Sequence, residues 1–336
     1  MVDPISLIVS IVVGVAATVL SIGLTLAITM PFLGVLVRYR ANYTPKTGAV
    51  RLDDETGAGI LQSRSDANLS YFGMMKRVHR VEGWSGLYKG IMPTIIATLI
   101  AVVVAAPVSV LLVGGFEHLR HGGIYTPPRV SGVVLWVVTF AISIIPVLLL
   151  VPIQIITNRA ITTPHKLAAF APAAGLRALL SPAERAHPLL LYLAPGVAPA
   201  LLLEALVSPT LSLLRVSAFP HLHLALTLGG VLPLLVLTTA FTTPLQVMAA
   251  RLTLQRRGDT AAAAAAGAAD TLIHTEHVMT FRTDADGAPY TGLLDCYRKM
   301  LEEEGWRVLY RAWWLAAVLL LLPILTPMFT PPTVLA

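Results

Sequence analysis

PFLGVLVR at 31–38, PIQIITNR at 152–159 and PLQVMAAR at 244–251 share one pattern: a proline followed seven residues later by an arginine. Each octapeptide closes a long apolar stretch, so Pro31 and Arg38, Pro152 and Arg159, and Pro244 and Arg251 mark equivalent points of a repeating chain. Proline removes a backbone donor and frees a carbonyl one turn earlier. Inside an apolar helix that carbonyl needs a partner from a neighbouring element or a cavity.

Working outward, six apolar stretches run over 5–37, 91–116, 130–156, 189–214, 222–248 and 313–334. A hydrocarbon core about 30 Å thick takes roughly 20 apolar residues per helical span, and each stretch is long enough. The composition agrees: 56% of the 336 residues are hydrophobic and 12% are charged, more apolar surface than a water-soluble domain can hide. The first stretch lacks a basic leader and far exceeds the apolar core of a secretory signal, so it reads as a span.

The charges sort to one side. Of 24 Lys and Arg, all but Arg120, Arg129 and Arg215 fall after the first, third and fifth stretches. Basic loops mark one membrane face, which puts both termini on the other. The net charge of +6 therefore speaks of topology and anionic lipid, and no nucleic-acid partner is expected. The lone Cys296 excludes an internal disulfide and a cysteine-built zinc site. His274-Thr275-Glu276-His277 lacks a third ligand nearby, and no metal or cofactor is expected.

Two of the basic loops carry an amphipathic segment opening on Tyr-x-Gly, Tyr71 to Gly73 and Tyr290 to Gly292. Tyr71, Met74, Met75, Val78 and Val81 share one helical face; Leu293, Leu294, Tyr297, Met300 and Leu301 share the other segment's face. Each predicts a helix lying at the membrane surface. The middle loop offers only the 176–182 segment LRALLSP as a counterpart. The chain thus divides into three units, 1–125, 126–219 and a third over 220–336. The expected fold is an all-α membrane protein of six transmembrane helices in three pseudo-threefold repeats, each with a short surface helix on the basic-loop side.

This pattern resembles the mitochondrial carrier family over nearly the whole chain. Glu82-Gly83 with Tyr88-Lys89-Gly90 matches that family's acid-Gly and aromatic-basic-Gly steps, and Glu304-Gly305 with Tyr310-Arg311-Ala312 is similar, alanine replacing glycine. Phe116-Glu117-His118-Leu119-Arg120 resembles the even-helix signature, and Arg215 is its remnant in the fourth span. The resemblance implies acid–base pairs between odd helices that close one face. Here the acid positions are Leu33, Gln154 and Gln246 and the base positions Leu36, Thr157 and Ala249, so all three pairs are missing. On the opposite face Glu117, Arg120 and Arg215 are the gate remnant. Glu204 is the one acid deep in a span, which makes it a functional candidate. Arg38, Arg159 and Arg251 read as helix-end anchors at the headgroups more than as gating groups. The resemblance also makes Tyr71, Gly73, Tyr88, Lys89, Gly90, Tyr290 and Gly292 candidate lipid-binding residues, with cardiolipin the lipid implied.

Two functions stay open. One is a transporter of an unknown small-molecule substrate in a mitochondrial membrane, the inner favoured over the outer. The other is a non-transporting carrier-fold protein of the outer mitochondrial membrane, with protein partners, acting in fusion, morphology or protein insertion. No catalytic constellation is present in the sequence, and enzymatic function is not expected.

Overall fold

The structure is a computed structural model that describes residues 4–46, 69–103, 132–163, 172–218, 224–255, 278–280, 282 and 288–329. Among the described residues every regular element is helical. The order is α1 (Pro4–Ala41), α2 (Tyr71–Leu87), α3 (Ile91–Val103), α4 (Gly132–Thr162), α5 (Pro172–Leu179), α6 (Pro182–Ala186), α7 (Val197–Ala218), α8 (Leu224–Leu254), α9 (Leu293–Glu303) and α10 (Trp313–Phe329). Short 3-10 turns at Pro188–Leu191 and Trp306–Tyr310 lead into α7 and α10.

Among the described residues, Val12–Ala41 of α1 and Leu232–Leu254 of α8 are each long and apolar enough to cross a membrane alone. α2 and α3 reach that length only together, and they meet at a bend of 52°. Most of α1 exposes aliphatic side chains, among them Val12, Val15, Val19, Leu20 and Leu24. Such a face calls for lipid rather than water. The threonines on it satisfy themselves: Thr18, Thr25 and Thr29 donate to the carbonyls of Gly14, Ser21 and Thr25. That local bonding lets a hydroxyl face hydrocarbon without an orphan donor.

Packing concentrates at the C-terminal ends of α1, α4 and α8. One core joins Val151 and Ile155 of α4, Val197 of α7, Val247 and Leu252 of α8, and Cys296 and Met300 of α9. A second joins Val35 and Leu36 of α1 to Tyr71, Met74 and Val78 of α2, with Val278, Met279 and Ala312. The two amphipathic segments are therefore helices, as their periodicity predicts, but the second buries only part of the expected face: Leu293, Met300 and Leu301 pack into the core, joined by Cys296. Cys296 and Met300 are buried while Leu294 and Tyr297 are exposed. Its helix also starts at Leu293, after the tyrosine. The fourth stretch differs too: its helix begins at Val197, because Pro188, Pro195 and Gly196 hold the preceding residues in turns.

Two of the three signature prolines have the carbonyl they free taken by a tyrosine. Pro31 frees the Ala27 carbonyl, and Tyr88 Oη donates to it at 3.1 Å. Pro244 frees the Ala240 carbonyl, and Tyr310 Oη donates to it at 3.4 Å. The tyrosine of each aromatic-basic step thus repairs the proline break in the motif helix that precedes it. In the middle unit Ala194 stands where that tyrosine would be.

Candidate functional site

The proline-arginine motif ends in a buried charge. Arg38, Arg159 and Arg251 are only 1%, 3% and 5% exposed, so they do not anchor helix ends at the headgroups. Each holds a glutamate from the segment that follows its helix. Arg38 Nη2 donates to Glu82 Oε2 at 2.6 Å. Arg159 grips Glu184 with both ends of its fork, at 2.7 and 3.0 Å. Arg251 does the same to Glu304, one arm at 2.9 Å. Bidentate, charge-assisted bonds of this kind are the strong ones. Burial makes each pair interdependent, because losing one partner strands the other charge away from water.

Glu184 is the partner the sequence reading missed. It sits in α6, where Ser181 and Glu184 form a reciprocal capping box. Burial pushes its carboxyl up, but hydrogen bonds from Arg159 and from the Ser181 N–H, with the Arg159 charge, hold it below the usual range. The Ser-x-x-Glu spacing was the available signal. The middle segment is thus two short helices, α5 and α6, rather than a single weak one.

Lys89, Arg159 and Arg251 also reach carbonyls at the C-termini of other helices. Lys89 Nζ bonds Glu82 at 2.7 Å and reaches the Thr163 carbonyl, just past α4, at 3.0 Å. Arg159 donates to the carbonyls of Thr253 and Gln255, at the end of α8, at 3.0 and 2.9 Å. Arg251 donates to the carbonyls of Arg40 and Asn42, at the end of α1, at 3.3 and 3.0 Å. These are the carbonyls that a helix leaves without partners, and the negative end of its dipole favours a cation there. The chain after α1 is strapped further: Arg311 bonds the Tyr39 carbonyl at 3.2 Å, and Glu304 accepts from the Thr44 N–H at 2.9 Å.

The eroded acid–base positions carry no charge into this end. Leu36 is buried and Leu33 exposed. Gln154 donates to Asn158, one turn along α4, at 3.4 Å, while Asn158 crosses to Thr253 Oγ1 at 2.9 Å. Gln246 donates to Glu204 Oε1, joining α8 to α7. That gives the intramembrane acid a partner on another helix. Glu117 and Arg120 lie outside the described residues. Arg215 falls on α7, and its side chain lies outside them as well.

The candidate lipid residues have mostly internal duties. Tyr71 is buried and donates to the Phe32 carbonyl at 2.9 Å. The Gly73 N–H is taken by the Ser70 cap at 3.1 Å. Tyr88 and Lys89 are engaged as described above. Tyr290 is buried with Arg282 above its ring at 5.0 Å. What remains for a lipid phosphate is backbone at helix starts. Gly196, at the start of α7, lies so close to Gly292 and Leu293, at the start of α9, that an added Cβ would be 2.6 Å from the Leu293 nitrogen. Burial pushes the Cys296 thiol up to about 12, which leaves no reactive thiolate there.

Gly90, Gly196 and Ala312 occupy the same step before α3, α7 and α10, with φ of 87°, 73° and 56°. Ala312 is the strained one, since a Cβ in the left-handed region costs about 1–2 kcal/mol. Ala312→Gly should stabilise the protein by about 1 kcal/mol, and Gly196→Ala should destabilise it by more than that, through both φ and the clash with Leu293. Unfolding of the detergent-solubilised variants, followed by tryptophan fluorescence, checks both.

Long apolar helices with aliphatic outer faces, fastened at one end by buried ion pairs, define a helical membrane protein. Residues 226–323 match the family model described as mitochondrial carrier protein. The match begins near the start of α8, includes α9 and ends within α10. No curated protein matches the chain.

Proposed function

We propose that the chain is a carrier-like solute transporter of a mitochondrial membrane, built as six spans in three units over 1–125, 126–219 and 220–336. The observation that carries this reading is the recurring latch at one end of the helices. Each odd-numbered span ends in an arginine that holds a glutamate of its own unit, and cations link each unit to the next through carbonyl bonds. One or two bonds from a cation to carbonyls contribute a few kcal/mol at most, so units joined by them can part and rejoin. Such an end serves as a gate even though the usual acid–base pairs are gone. Glu204, held by Gln246, supplies a polar contact inside the spans. Cardiolipin, docked through backbone N–H groups at the paired starts of α7 and α9, is the lipid partner proposed.

Exchange of labelled metabolites by the purified full-length protein in liposomes tests this. Uptake of at least one solute class, abolished in Arg159→Ala protein that remains folded, is expected. No exchange across a broad panel by folded protein contradicts it. The alternative, a non-transporting carrier-fold protein of the outer membrane acting in fusion, morphology or protein insertion, draws on the strap after α1. Residues 42–46 are bonded to the 278–280 and 301–304 segments and to Arg311 by many hydrogen bonds, which favours a permanently closed end. Submitochondrial fractionation separates the two: inner-membrane location supports the transporter, and outer-membrane location supports the alternative.

A further inference from the structure

Of the four buried arginines among the described residues, Arg38, Arg159 and Arg251 each hold a carboxylate. Arg40 holds none. It is 7% exposed, on the last turn of α1, and its Nε and Nη2 have no hydrogen-bond partner. Those two nitrogens form one edge of the guanidinium, the edge that grips a planar carboxylate with two parallel N–H bonds. A guanidinium buried with that edge empty is costly, and an unsatisfied buried group of this kind in a native protein has an explanation to find. The opposite charge that Arg40 feels most is Glu204 of α7, a residue of another unit with which it makes no bond.

We propose that Arg40 and Glu204 together receive a small zwitterionic solute, the Arg40 edge taking its carboxylate and Glu204 its ammonium group. The choice of class follows from charge balance. Arg40 and Glu204 sum to zero. A simple anion leaves the site net negative and a simple cation leaves it net positive, and net charge is unfavourable away from water. A zwitterion satisfies both ends and adds none. The site also touches the latch: the Arg40 carbonyl accepts from Arg251 Nε at 3.3 Å, so a ligand that repositions Arg40 acts on the tie between the first and third units. The proposal rests on the transporter reading above and names its substrate class.

Purified full-length protein is titrated with glycine, L-alanine, propionate, ethylamine and inorganic phosphate while unfolding temperature is recorded. The two amino acids are expected to stabilise it, and propionate, ethylamine and phosphate much less. Arg40→Lys, which keeps the charge but loses the two-toothed edge, should weaken the amino-acid response by about tenfold or more. Glu204→Gln should erase the preference for L-alanine over propionate. An amino-acid response unchanged in Arg40→Lys, propionate or phosphate stabilising as well as L-alanine, or no response to either amino acid overturns the proposal. Liposome exchange of some other solute class alongside such a failure leaves the transporter reading standing, whereas silence across all classes removes that reading itself.

Discussion

Arg251→Ala should destabilise the protein by about 3–5 kcal/mol, the cost of stranding one member of a buried ion pair. Arg251 is buried, and it holds both oxygens of Glu304 and the carbonyls of Arg40 and Asn42. Its loss leaves Glu304 with Arg311, at 3.9 Å, and Thr44 as remaining partners. Two further variants separate its roles. Arg251→Met with Glu304→Leu removes both charges and should recover most of the stability, because an apolar pair of similar volume replaces a buried salt bridge at little cost. The double variant still lacks the tie to the end of α1. It should therefore open the basic end more readily, seen as faster amide hydrogen exchange over residues 42–46 at nearly unchanged unfolding temperature.

Glu184→Ala should cost about as much as loss of Arg251, again about 3–5 kcal/mol. It leaves Arg159 unpaired and removes the cap on the Ser181 N–H, which is bonded at 2.9 Å. Glu184→Gln keeps the shape and one hydrogen bond and should cost less. The two forms also part in acid. The folded carboxyl of Glu184 is lowered, so its stabilisation is fully present above the unfolded value of about 4.3. It is lost as the pH falls through the lower folded value. Wild type should therefore lose stability over that window relative to its neutral-pH value, and Glu184→Gln should lose less. Denaturant titrations at a series of acidic pH values measure the difference.

The apolar helices α1 and α8, the surface helix α2 and the motif arginines were legible in the sequence because each depends on local pattern: apolar length, helical periodicity, proline spacing. The destination of the arginines was not. Headgroup anchoring is the natural reading of an arginine at the end of an apolar stretch, and it fails here because the loops fold back over the helix ends and bury them. Glu184 was hidden by two departures. It lies 25 residues from Arg159, where the other pairs span 44 and 53. It is also followed by Arg185, whereas Glu82 and Glu304 are followed by glycine. Gly196 was hidden in the same way, since Ala194-Pro195 replaces the aromatic-basic step before it. The open edge of Arg40 has no sequence signal at all. Arg40 leads into the strap after α1, whose contacts come from residues more than 200 positions away.

Between α4 and α6 the motifs are weakest and the latch is nonetheless complete. A double-mutant cycle between Arg159 and Glu184, read as unfolding free energy of the full-length protein, tests it most directly. The latch predicts a coupling of about 2–3 kcal/mol, Arg159→Ala and Glu184→Ala together costing far less than the sum of the two alone. Additive effects, within about 0.5 kcal/mol, would mean that the two residues do not meet and that the middle unit is not built like the other two.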